Sequence, residues 1–395
     1  MKKVLIRDLF DIRKGRKEME TDSVGVRYIQ IEDLRNDDNL KLCEENDKNI
    51  LVNENDIVIA WDGANAGIVD FGLEGALGST LGRLRLKEEI DSNLVNAHYV
   101  GYFLKLKENY IKDNTTGATI PHVSRGVLQN IEINLPSMSE QNKIVEILNK
   151  TVITMSLRQQ QIEALSELKQ SVFLDMFGDP NDKGSKFSKD QIGNLFEVQT
   201  GKTPKRGNSD FWEDGDIPWV KTTEVNNNKI KGTSEFITKK ALEENNLKLF
   251  PKNTVFIAMY GQGKTRGQSA LLTFPSTCNQ ACAAILPNDK YNHLFLWNQL
   301  LLQYEGLRAL GRGGNQPNLN LNLVREFKVI NPPIVLQEEY ANIVEKIDKH
   351  KSLLSDSLKQ MNTLYDSLLQ KAFNGELFKE KKTHNGTKYV GWCYE

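Results

Sequence analysis

Residues 113–177 of this 395-residue chain can be laid on residues 309–373 without a gap, at a constant offset of 196. Gly117 falls on Gly313, Pro121 on Pro317, Pro136 on Pro332 and Gln141 on Gln337. Further along, Ile147 meets Ile343, Lys150 meets Lys346, Leu168 meets Leu364, Ser171 meets Ser367 and Phe177 meets Phe373. Upstream the match continues across small loop insertions. "LFDIRKGRK" (9–17) sits over "LFEVQTGKT" (195–203), "VRYIQIEDL" (26–34) over "IPWVKTTEV" (217–225), and "DIVIAWDGANAG" (56–67) over "TVFIAMYGQGKTRG" (254–267). A period of this length makes one structural unit occur twice. The expectation is an α+β protein, a tandem duplication of a β-rich globular part followed by a long helix.

The helical parts carry their own signal. Residues 139–176 and 334–373 contain no proline or glycine, and each begins near an acidic/Gln cluster, "SEQ" or "QEE", suited to the positive end of a helix. In the second, Ile347, Leu354, Met361 and Leu368 recur every seven residues, with Lys351, Leu358, Tyr365 and Ala372 offset by four. The first offers Leu148, Met155, Ile162 and Met176 in one file and Leu165 and Val172 in the other, interrupted by Arg158 and Lys169. Such files make a coiled-coil seam. Two matching helices in one chain, each on the order of 55 Å long at 1.5 Å per residue, are expected to pack on each other. A two-fold relation between the copies makes that pairing antiparallel.

"NPPI" (331–334) spells most of the loop with which amino-methyltransferases grip a target amine, but its counterpart in the first copy is "LPSM" (135–138). Both prolines stand where a strand gives way to a helix, a position proline suits. No glycine-rich S-adenosylmethionine loop accompanies it, since "VDFGLEGALG" (69–78) has the wrong spacing. NPPI therefore reads as a helix entrance. "GQGKT" (261–265) lacks the earlier glycine of a phosphate loop, Ala258 standing there, and the first copy has no lysine at all. Cys43, Cys278, Cys282 and Cys393 supply no second ligand pair for zinc. His98 and His293 lie in apolar segments and read as packing residues, whereas His122 lies on a polar loop. No carboxylate pair, nucleophile triad or metal cluster stands out, and no cofactor of the chain's own is expected.

Polar and basic residues collect at equivalent loops in the two copies. The pairs are "RKGRK" (13–17) with "TGKTPKRG" (200–207), "WDGANAG" (61–67) with "YGQGKTRGQ" (260–268), and "TTGATIPHVSRG" (115–126) with "GRGGNQPNLN" (311–320). Arg and Lys bind phosphates or guanine edges, and Asn and Gln hydrogen-bond adenine. Recurrence in register favours a working surface. The charge is uneven: residues 1–135 carry 18 Lys+Arg against 23 Asp+Glu, and residues 179–331 carry 20 against 15. A net charge of −1 gives no blanket attraction to nucleic acid, so binding must use local clusters or charge from a partner. No run approaches the apolar length of a membrane span, and "MKKVLIRDLF" has no signal-peptide core, so the cytoplasm is expected.

The repeat and particular motifs resemble the specificity (S) subunit of type I restriction–modification systems. The second copy carries "GKTPKRGNSDFW" (201–212), "GDIPWVKTTEV" (215–225) and "NQPNLN" (315–320) leading into "NPPIVLQEEYANIV". The first carries "GATIPHVSRGVLQNIEINLPSMSEQNKIVEIL" (117–148). The likeness covers residues 1–378. The first copy departs in having "RYIQ" where the second has its "IPW" signature, and the tail "KTHNGTKYVGWCYE" (382–395) matches nothing.

The resemblance implies target-recognition domains at 1–136 and 179–332, spacer helices at 137–178 and 333–378, and a tail at 379–395. Each recognition domain would read one half of a bipartite, asymmetric site in double-stranded DNA. Two methyltransferase subunits would dock on the helices and recognition domains, with a restriction subunit able to join. S-adenosylmethionine, ATP and magnesium would belong to those partners, and the chain itself would be non-catalytic. Candidate DNA contacts are Lys14, Arg16, Lys17, His122 and Arg125 in the first domain. In the second they are Lys202, Lys205, Arg206, Lys264, Arg266, Arg312, Asn315 and Gln316. Leu148, Met155, Ile162, Leu354, Leu358 and Met361 would hold the spacer. The alternatives are a DNA methyltransferase or restriction enzyme that uses NPPI, and a coiled-coil adaptor that binds protein only.

Overall fold

A computed structural model describes residues 2–34, 40–182, 184, 186–261, 263–311 and 318–378. The chain forms two compact units, one of residues 1–159 and 356–395, the other of residues 160–355. Each unit therefore holds one globular part, the beginning of the helix that follows it and the end of the other helix.

In the first unit, strand Lys2–Leu5 pairs antiparallel with Glu132–Leu135, so the start and end of the globular part are hydrogen-bonded together. A four-stranded antiparallel sheet runs in the order Phe10–Lys14, Leu81–Leu86, Ile57–Ala60, Val69–Phe71. A second, mixed sheet orders Glu20–Thr21, Leu42–Cys43, Val26–Ile29, Gly75–Leu77 and Leu51–Val52, with a parallel pair between Val26–Ile29 and Gly75–Leu77. Helix Ala97–Leu106 is capped by the Asn96 side chain and joins Ile57, Ile59 and Leu84 in one core through Tyr99, Val100 and Phe103.

The second unit repeats this plan. Lys189–Gln191 pairs with Lys328–Ile330. The main sheet orders Val198–Thr200, Cys282–Ile285, Val255–Ala258, Ser269–Leu272 and Lys229–Ile230. The smaller sheet orders Phe236–Ile237, Ile217–Val220 and Thr277–Cys278, again with one parallel pair. The offset of 196 reaches further upstream than sequence identity does. Helix Ala97–Leu106 returns as His293–Leu302, Glu108–Asp113 as Tyr304–Ala309, Glu132–Leu135 begins again at Lys328, and Met138–Phe177 returns as Ile334–Phe373.

The two long helices pack antiparallel. In the second unit Ser166, Lys169 and Phe173 of one helix meet Lys351, Asp348 and Tyr340 of the other, in reversed order. In the first unit Ile144, Val145 and Leu148 share a core with Tyr365, Leu368, Leu369 and Ala372. The ends interlock in equivalent ways: Phe373 lies 5.0 Å from Tyr99, and its counterpart Phe177 lies 4.8 Å from Phe295, the counterpart of Tyr99. Burial follows the expected seam. Met155, Ile162, Leu354, Leu358 and Met361 are half-buried among exposed neighbours, while Leu148, against the globular core, is fully buried. A two-stranded coil leaves its seam partly open to water, which accounts for the difference.

NPPI does stand at a helix entrance. Asn331 donates to Ser188 O at 2.9 Å, the helix begins at Ile334, and Pro332 O accepts from the Gln337 side chain at 2.8 Å. In the first copy Ser137 and Glu140 cap the helix reciprocally, Ser137 N–H to the Glu140 carboxylate at 3.0 Å and Glu140 N–H to Ser137 Oγ at 3.3 Å.

Candidate nucleic-acid interface

In both units the first and second polar loops leave the same end of the main sheet, following two strands that run in one direction, and the described part of the third loop is bonded to the second. The first loop passes a glycine that cannot be replaced. A Cβ at Gly15 would stand 2.2 Å from Gly78 O, and one at Gly201 would stand 1.8 Å from Cys278 O. Gly15 N–H bonds Leu81 O and Arg16 N–H bonds Leu77 O, which sets the path that exposes Lys14, Arg16 and Lys17. The second loop closes through Gly67 N–H to Ala60 O at 2.8 Å, and in the other copy through Gly267 N–H to Ala258 O at 2.9 Å. The third loop is stitched to the second by Val123 N–H to Trp61 O and by Leu319 N–H to Met259 O, each at 2.9 Å.

Side chains then tie the loops differently in each unit. In the first, Asp62 accepts from Lys14 Nζ of the first loop and pairs with His122 Nδ1 of the third at 2.6 Å. Burial pushes the Asp62 carboxyl up, but the hydrogen bonds from Lys14 and His122 outweigh it and hold the group below its ordinary value. Arg125, at the start of helix Arg125–Gln129, donates to Ile12 O at 2.6 Å.

In the second unit Thr200 and Thr203 hold Gln280, and Lys202 Nζ donates to Asn245 O at 3.3 Å. Arg206 pairs with Glu235 and lies 4.1 Å and 4.7 Å from the ring centres of Trp212 and Trp219. Burial raises the Glu235 carboxyl, yet Lys221 and Arg206 bring it below the usual range. The second loop is clamped from below: Tyr304 OH donates to Lys264 O at 2.6 Å, and Arg308 donates to Gly263 O at 2.5 Å and Arg266 O at 3.1 Å.

The structure thus brings Lys14 and His122 together and exposes Arg16, Lys17, Lys202, Lys205 and Lys264, with Arg266 half-buried. Arg125 and Arg206 are exposed but engaged in contacts within their own domain. Arg312, Asn315 and Gln316 lie outside the described residues. Sequence reasoning passed over Asp62, Glu235, Tyr304 and Arg308, which position loops. Asp62 alone left a trace, as the only charged residue of the loop 61–67.

His98 Nε2 lies 2.8 Å from Glu54 O and its ring packs 5.0 Å from Phe71. Cys278 and Cys282 are buried, and burial pushes the Cys278 thiol up. Among the described residues no group of three or more His, Cys, Asp or Glu side chains could hold a metal ion, and no helix is long and apolar enough to cross a membrane.

Residues 1–167 and 185–362 each match the family model described as type I restriction modification DNA specificity domain. The chain belongs to this family, whose members are the non-catalytic, DNA-recognising components of such systems. It is 30% identical over 341 residues to the type I restriction enzyme MjaVIII specificity subunit of Methanocaldococcus jannaschii, covering 81% of this chain and 79% of that one. It is 23% identical over 308 residues to the MjaIX specificity subunit of the same organism, covering 73% and 70%. Its fold is similar to the crystal structure of a type I restriction–modification system S subunit from M. genitalium, with a TM-score of 0.61 at 20% identity, covering 94% and 96% of the two chains.

Proposed function

We propose that this chain reads a bipartite, asymmetric site in double-stranded DNA, one half with each globular part. The observation that supports this reading is the duplicated loop face: polar loops at one end of the main sheet, with the second loop closed and joined to the third by equivalent backbone bonds in both units. The loops differ in sequence between copies, so the two halves of the site would differ as well. Lys14, Arg16, Lys17, His122 and Arg125 would serve the first half-site. Lys202, Lys205, Arg206, Lys264, Arg266, Arg312, Asn315 and Gln316 would serve the second. Lysines position the protein on phosphates, while Arg, Asn and Gln discriminate base edges.

The domain limits are those of the repeat, with recognition parts at 1–136 and 179–332, spacer helices at 137–178 and 333–378, and a tail at 379–395. Two methyltransferase subunits dock on the helices and recognition parts in this reading, and a restriction subunit joins them. S-adenosylmethionine, ATP and magnesium then reside on those partners, which also supply much of the phosphate neutralisation in the cytoplasm. The test is to co-express the chain with its methyltransferase subunit and map methylated adenines in host DNA. Two short half-sites at a fixed gap, methylated only when this chain is present, are expected. An assembled complex that leaves no such pattern would refute the reading.

A further inference from the structure

We propose that Asp62 is the positioning residue for reading the first half-site, acting by fixing His122 and Lys14 in one geometry rather than by touching DNA. This rests on the bipartite reading above.

Asp62 follows strand Ile57–Ala60 by two residues, with its backbone N–H on Thr80 O at 3.2 Å. The next residue, Gly63, donates to Pro121 O at 2.9 Å, so the second and third loops are joined at this point by main chain. The Asp62 side chain adds what the main chain cannot. One carboxylate oxygen takes the ammonium of Lys14, the last residue of strand Phe10–Lys14, and the other takes the His122 ring. The Asp62 side chain is 16% exposed, whereas those of Lys14 and His122 are each 47% exposed. The anion is thus sheltered by its two partners, and the groups that face solvent are the Lys14 ammonium and the His122 ring. A bare carboxylate at this edge would repel phosphate; covered in this way it orients cationic and imidazole groups.

The second unit sharpens the inference. The bond that joins the second and third loops recurs there, Leu319 N–H to Met259 O for Val123 N–H to Trp61 O, but the positions matching Lys14, Asp62 and His122 hold Thr200, Tyr260 and Asn318, which cannot form an ion pair. The clamp is a private feature of the first recognition part, so its loss should disturb one half-site and spare the other.

The experiment uses the complex assembled with methyltransferase subunits, comparing wild type with Asp62→Asn and Asp62→Glu. Methylation is measured on the mapped site and on sites with single-base changes in either half. Discrimination in the first half-site is expected to fall about tenfold in Asp62→Asn, the size of one bidentate base contact, with the second half-site unchanged. Removing the anion frees Lys14, so affinity for unrelated DNA should rise and the salt dependence should steepen by about one phosphate contact. Asp62→Glu keeps the charge but displaces both partners, and should lose discrimination with the wild-type salt slope. A merely structural role would not produce these opposed changes. Unaltered discrimination in both variants, or equal loss in both halves, would overturn the proposal. If Asp62→Asn does not assemble, loss of first-half discrimination in Asp62→Glu supports the inference and its retention overturns it. A wild-type complex without a bipartite methylation pattern would refute the functional reading itself.

Discussion

Gln141 and Gln337 are wholly buried, which is unusual for an amide, and they do the same work in the two copies. Gln337 accepts from Asn292 N–H at 2.8 Å and donates to Pro332 O, while Gln141 accepts from Asn96 N–H at 2.9 Å and donates to Leu94 O and Pro136 O. Each fastens the start of a long helix to the cap of the helix that covers its sheet. Truncating Gln337 to Ala strands two backbone groups and opens a cavity, so about 2–4 kcal/mol of stability should be lost, checked by urea unfolding. Arg308 makes a different kind of contribution. It holds two carbonyls of the second loop from outside the core, so Arg308→Met should relax discrimination in the second half-site with little change in melting temperature. Equal relaxation of both half-sites in the methylation assay would count against it. The repeat made Gln141 and Gln337 stand out as a matched pair. It could not show that Arg206 and Arg125 face inward partners, because a cation on a loop reads the same whether its partner is DNA, a carbonyl or a tryptophan face.

The long helices were the most readable elements, because heptad files and proline entrances are local signals that survive tertiary packing. The sheets were less so. Their strands are short, pair across large separations such as Lys2–Leu5 with Glu132–Leu135, and include parallel pairs that no hairpin signal announces. The break in the seam at Lys169 had no explanation in sequence, and the fold gives one. Lys169 sits 3.6 Å from Asp348, which also takes Lys229 at 2.7 Å, and the Lys169 ammonium lies 5.3 Å from the Trp297 ring. Burial lowers the Lys169 pKa against the pull of Asp348. One carboxylate therefore binds the edge strand Lys229–Ile230 of the main sheet, through Lys229, to the helix pair. Asp348→Asn leaves two cations with no anion and should destabilise the protein by about 3 kcal/mol. Lys169→Tyr, which installs the residue that the repeat places at Tyr365, should be close to neutral. Denaturation of both variants decides this, and similar losses would mean that packing rather than charge holds the contact.

Because each long helix gives its first part to one unit and its last part to the other, the first unit is assembled from two separate stretches of chain while the second is the continuous stretch between them. Duplication explains how such a split can be stable. The contact that closes the first unit, Phe373 on Tyr99, is the same contact that closes the second, Phe177 on Phe295, so one solution to packing is used twice. In the proposed function, the same helices set the number of unread base pairs between half-sites. Inserting four residues into each helix at the boundary between units, after Gln159 and after Ser355, adds about 6 Å of helix at 1.5 Å per residue. That is close to the rise of two base pairs at about 3.4 Å each. Both insertions fall between the contacts that anchor the helix ends, so the loops and their side-chain clamps should stay as they are. The expected result is an unread gap longer by about two base pairs, with both half-sites unchanged, read from methylated adenines mapped for the parent and the lengthened chain. A four-residue insertion also shifts the heptad seam, so a seven-residue insertion that restores it is the paired measurement. If neither assembled variant alters the gap, the helices do not measure the distance between half-sites, and the spacing must be set by the partner subunits.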